Sequence, residues 1–192
     1  MRVPALLLSA VTFLLAACGG GSDATGPGDT FACTVTPPSG TVTATVNGTP
    51  FSATLTAQAT IQNDRVNGAN VIQVNGVSCP ARAGEAPRQI LFTIGRITPI
   101  TPGTYQLDSA SQLKPPQSGY SGIGLVAVAP SLWYSNLRDA TGPGSGSITF
   151  TTITATRLTG TFQMVGVPAQ SNGTSARDRV TITNGVFDVT VP

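Results

Sequence analysis

From Thr41 onward the chain alternates between apolar and polar positions. In TVTATVNGTPFSATL, residues 41–55, threonines separate Val42, Ala44 and Val46, Asn47-Gly48 interrupts, and Phe51, Ala53 and Leu55 take up the alternation again. A period of two puts such residues on one face of a half-buried strand. Asn-Gly tolerates the positive φ of a tight turn, so the stretch predicts a β-hairpin. The dipeptide recurs at 67–68, 75–76, 172–173 and 184–185, and this repetition predicts an antiparallel meander. Further runs lie at 70–77, 89–97, 104–107, 123–129, 147–155, 157–165 and 180–191, the last broken where Asn184-Gly185 is expected to turn the chain into a final strand. After the N-terminal segment, no long window carries the three-and-four apolar spacing of a helix.

These runs predict an all-β protein: a single antiparallel β-sandwich or closed β-barrel of about 8–10 strands, following a signal helix and a flexible tether. The expected core comprises Val42, Val46, Phe51, Leu55, Ile72, Val74, Ile90, Phe92, Ile94, Ile148, Phe150, Leu158, Phe162, Ile182, Phe187 and Val189.

The N-terminus is different in kind. After Met1-Arg2, an apolar run from Val3 to Ala17 is shorter than the roughly 20 residues that span a bilayer, and has the size of a signal-peptide core. Its end, Leu15-Ala16-Ala17-Cys18, resembles the lipobox of bacterial lipoprotein signal peptides. That resemblance implies cleavage before Cys18 and a diacylglycerol thioether on its sulfur, with enough acyl chains for stable anchoring. The chain then divides into a removed signal (1–17), a lipidated cysteine and Gly/Ser-rich linker (18–32), and a β domain (33–192). The membrane is the partner implied, through the anchor. Gly19, where inner-membrane lipoproteins of Gram-negative bacteria carry aspartate, favours the outer membrane by analogy.

With Cys18 lipidated, Cys33 and Cys79 form an even pair in an exported protein, and a disulfide between them is expected. The alternative, a reactive or metal-binding thiol pair, has no histidine or acidic cluster behind it. Closing a loop of about 47 residues contributes up to roughly 4 kcal/mol in the chain-entropy model.

Composition removes several functions. Charged residues make up only 9%, against roughly 25% in an ordinary domain. The one lysine, Lys114, and scattered arginines give no footprint for nucleic acid. There is no histidine, hence no Ser-His-Asp triad and no H-E-x-x-H zinc helix. The eight carboxylates are dispersed, so the reading names no catalytic residue, metal site or cofactor. The least ordinary segment is YSGIGLVAVAPSLWY, residues 120–134, where Tyr120, Trp133 and Tyr134 flank an uncharged run and could contact a sugar ring or apolar ligand. Its plainer reading is a buried strand with aromatic rims.

Four later pieces, GTYQL (103–107), GSITFTTI (146–153), RLTGTFQM (157–164) and VTITNGVFDV (180–189), together with VNGTPFSA (46–53) and the lipobox, resemble a widespread group of bacterial lipoproteins built as one all-β domain. The resemblance implies an envelope location and transfers no activity. In RLTGTFQM, Gly160 is expected to relieve crowding or permit a bulge. The function expected is a non-enzymatic binding or structural module with a small-molecule, glycan or protein ligand. The alternatives are a lipocalin-like carrier of a small apolar ligand and, more weakly, a glycan-active enzyme.

Overall fold

A computed structural model describes residues 39–64, 69–80, 86–108, 120–128, 131–169 and 179–192, all within the unit Ala32–Pro192. The signal, Cys18, the linker, Cys33 and the turn candidates Asn67-Gly68 and Asn172-Gly173 lie outside the described residues. The strands are β1 (Thr41–Val46), β2 (Thr49–Ser52), β3 (Thr56–Asp64), β4 (Ala69–Ser78), β5 (Arg88–Arg96), β6 (Gly103–Gln106), β7 (Tyr120–Val128), β8 (Ser131–Tyr134), β9 (Arg138–Asp139), β10 (Gly142–Pro143), β11 (Ser145–Ile153), β12 (Arg157–Pro168) and β13 (Val180–Thr190). The fold is all-β, as the alternation predicts, and no described helix is long and apolar enough to cross a membrane.

Eleven strands form one continuous hydrogen-bonded surface that folds back on itself. One run is β2-β1-β13-β12-β11-β6, the other β3-β4-β5-β7-β8, and neighbours within each run are antiparallel. Two short joints connect the runs. Beyond its pairing with β11, β12 continues beside β8 through Val167↔Tyr134 and Pro168↔Trp133. At the far end of β13, Thr190 meets Gln58 of β3 in a parallel contact. β13, β3, β4, β5, β7, β8 and β12 thus close into a ring of seven, with two strands attached outside each closing pair. Corners made by strands that change sheets are how packed sheets become barrels. In β12 the alternation fails at Gly166 and Val167, both buried, because there the strand leaves one run for the other.

The two runs face each other across a core that holds most of the expected residues. Phe92 on β5 meets Phe162 on β12 at 4.5 Å between ring centroids. Phe150 and Phe187 pack edge to face at 5.6 Å. Glycines let one sheet's side chains rest on the other's backbone: a Cβ at Gly76 would lie 2.8 Å from Val42, and one at Gly124 would lie 2.5 Å from the Met164 sulfur. At these levels the interior is filled.

The Asn-Gly dipeptides diverge. Asn47 (φ 48°) and Gly48 (φ 80°) are both left-handed and make the expected β1–β2 hairpin turn. Asn184 alone is left-handed (φ 52°), and Asn184-Gly185 is not a turn, as the sequence predicts, but a bulge inside one unbroken strand. Both β1 and β12 shift register there. A type I′ hairpin turn needs two consecutive positive φ angles; here the single one at Asn184 accompanies a bulge that inserts one extra residue. The insertion brings both Ile182 and Phe187 inward, although they differ in parity. Asn75-Gly76 lies within β4, where Gly76 serves the close approach of Val42.

Candidate functional site

The aromatic set does not assemble into one surface. Trp133 faces inward at the β8–β12 joint and packs against the core, where its Cβ would lie 2.9 Å from a Cβ at Gly166. Tyr134, its neighbour in β8, points to the opposite face beside Leu125. Tyr120 begins β7 opposite Arg96, six residues from Val126, the partner of Trp133; this separation is roughly 20 Å along a strand.

Two of the described carboxylates, Asp139 and Asp188, are held in ion pairs away from these aromatics. Asp139, in the small β9–β10 ladder, accepts Arg179 Nε at 2.8 Å, the Thr141 amide at 2.8 Å and the Thr141 hydroxyl at 2.7 Å. Its side chain is only 3% exposed. The Arg179 hydrogen bonds, followed by that of the Thr141 hydroxyl, hold this carboxyl well below the usual range. Arg179 also donates to the Gly142 carbonyl, fastening the ladder to the start of β13. Asp188 accepts Arg157 Nε at 2.7 Å on the surface and is likewise lowered by that hydrogen bond. Among the described residues, no three His, Cys, Asp or Glu side chains cluster to hold a metal ion.

A concave site does exist on the outer face of the six-stranded run: a furrow of about 360 Å³ across β6, β11, β12 and β13. Register builds it. Gln106, Ser147 and Gln163 form one row across β6, β11 and β12, while Ser145, Val165 and Thr181 form the next across β11, β12 and β13. The short serines of β11 leave a trough between the longer glutamines, and Thr183 extends the β13 wall. Gly146, between the serines, allows β11 to approach β12 closely, since a Cβ there would lie 2.8 Å from the Gln163 carbonyl oxygen.

Elsewhere several polar groups pair across strands: Gln73 bonds Thr93, Gln89 bonds Asn75 at 2.9 Å, and Thr104 bonds Thr149 at 2.8 Å, next to the furrow on the same face. The side chains of Ser145, Ser147, Gln163, Thr181 and Thr183 have no such partner among the described residues. They are donors and acceptors open to solvent or a ligand. The sequence gives no local sign of this, because Gln106 and Gln163 are brought together only by the order β6-β11-β12.

Among known proteins no match appears: no family model fits the chain, and no curated protein or solved structure is significantly similar to it.

Proposed function

We propose that this is a lipid-anchored protein of the cell envelope, carried in the outer membrane by Cys18, whose β domain binds a ligand without transforming it. The observation that carries the binding reading is the furrow: concave, lined by the unpaired hydroxyls of Ser145, Ser147, Thr181 and Thr183 and the Gln163 carboxamide, and without an acid, base or activated nucleophile among the described residues of its lining. Such groups can hold a molecule but offer no general acid or base. The filled interior at Phe92, Phe162 and Met164 speaks for this outer site over a carrier's enclosed chamber. The anchor rests on Leu15-Ala16-Ala17-Cys18, and a Cys33–Cys79 disulfide fits the same compartment.

Envelope fractionation tests the anchor. Wild type is expected in the membrane fraction with its signal removed, and Cys18→Ser either soluble with its signal cut at another site or retained as the uncleaved precursor. A Cys18→Ser protein that stays membrane-bound and is processed like wild type would overturn this reading.

A further inference from the structure

We infer that the furrow across β6, β11, β12 and β13 is a subsite for a neutral saccharide, an inference that rests on the binding function proposed above. Charge comes first. Among the described residues no ionisable side chain lines the site, so these residues offer no opposite charge to a phosphate, carboxylate or ammonium group.

Peptides fit poorly for a separate reason. Main-chain recognition uses an open strand edge, whereas the furrow lies over β11 and β12, which are paired on both sides, and reaches the edge strand β6 only at its last residue, Gln106. An apolar ligand would meet Val165 as the outward apolar side chain among hydroxyls and amides that it would leave unsatisfied.

A ring of hydroxyls matches what is left. Each Ser or Thr hydroxyl both donates and accepts, and the Gln163 carboxamide supplies one acceptor and two donors. A sugar hydroxyl has the same two-way character, so its bonds can run in either direction without a buried group left unpaired. Val165 lies between Ser145 and Thr181 as a small apolar floor for the C–H face of a ring. The furrow's 360 Å³ lies near the lower end of small-ligand sites, about 300–1,000 Å³, and suits one or two rings of a longer chain.

The test titrates the full chain, in detergent, with maltohexaose, cellohexaose and chitohexaose, and sediments it with insoluble amylose, cellulose and chitin. At least one neutral saccharide is expected to bind, and the soluble and insoluble arms tell a free oligosaccharide from a polymer surface. Gln163→Ala should weaken binding about fivefold, the loss of one or two net hydrogen bonds. Ser147→Phe should abolish it by filling the trough, with an unchanged melting temperature confirming the fold. Because no charge takes part, 0.5 M salt should leave the affinity within about twofold.

Absence of binding to all six, binding indifferent to Ser147→Phe in a folded variant, or binding that collapses with salt would each overturn the saccharide assignment while leaving the anchored-envelope reading intact. Shortening of a hexasaccharide, read by chromatography, would overturn the non-enzymatic reading instead. Intact ligand recovered from a furrow-dependent complex supports both.

Discussion

Replacing Gly160 with alanine probes how tightly β11, β12 and β13 are fitted. A Cβ at this position would lie 2.0 Å from the Thr149 carbonyl oxygen and 2.6 Å from Phe187 Cζ, where ordinary contact begins at 3.4 Å. The first overlap, about 1.4 Å, is with backbone, so no side-chain rotation relieves it. Relief requires β11 to move from β12 at Thr149↔Thr161 and Phe150↔Gly160, weakening bonds worth about 1 kcal/mol each. The second overlap adds to this, since Phe187 must shift against its contacts with Phe150 at 5.6 Å and Phe162 at 6.4 Å, each worth about 0.5–1.5 kcal/mol.

Overpacking usually costs about 1–3 kcal/mol, and a backbone clash puts Gly160→Ala at or above the top of that range. For a domain of this size, about 3 kcal/mol lowers the melting temperature by roughly 6–12 °C. Thermal and urea unfolding followed by circular dichroism measure the loss. Gly48→Ala is the control: its Cβ meets nothing within 4 Å, and its cost arises from φ 80°, about 1–2 kcal/mol. A Gly160→Ala protein melting within about 2 °C of wild type would refute the packing described for these strands.

Three further expectations follow from other parts of the molecule. Asn184→Gly should leave stability nearly unchanged, whereas Asn184→Val should cost about 1–2 kcal/mol at the left-handed bulge, by urea midpoint. Asp139 has a depressed folded-state pKa, so its contribution is full above the unfolded value near 3.9 and is lost as pH falls through the folded value. The gap in urea midpoint between wild type and Asp139→Asn should therefore be widest above about pH 5 and close toward pH 2; a gap independent of pH would contradict the Arg179 pairing. Under the proposed disulfide, Cys33→Ser should lower stability by up to about 4 kcal/mol, with reducing agent abolishing the difference between wild type and variant.

Strand content was legible in the sequence wherever inward positions were large. Val42, Ile72, Val74, Ile90, Phe92 and Ile94 announce their faces, and each is buried. β3 was not foreseen because its buried residues are Ala57 and Ala59, too small to mark a face, and β8 was hidden because none of its four residues is fully buried. The dipeptide Asn-Gly has three outcomes here, as a turn at 47–48, a bulge at 184–185 and mid-strand at 75–76. Which one occurs depends on what lies across the sheet: Gly185 admits the Phe162 ring, and Gly76 admits Val42. The furrow was illegible for the same reason, since its walls come from strands far apart in the chain. Cys18 and Cys33 lie outside the described residues, so the lipid and disulfide readings rest on the N-terminal sequence and the parity of cysteines.

The pairing of β1 with β13 has a consequence for the order of assembly. Thr41 lies opposite Asp188, about 147 residues later, so the first strand of the domain receives its inner neighbour from the last. Until β13 is available, the β1–β2 hairpin has no adjoining strand and β12 lacks one of its two long-paired neighbours. The strand made last is the one the others wait for. A chain shortened before residue 180 would retain the order β3-β4-β5-β7-β8-β12-β11-β6 but lose the strand that closes the ring and seats β1. Completion of the fold thus belongs to the moment after β13 has been delivered, when β1 can meet it.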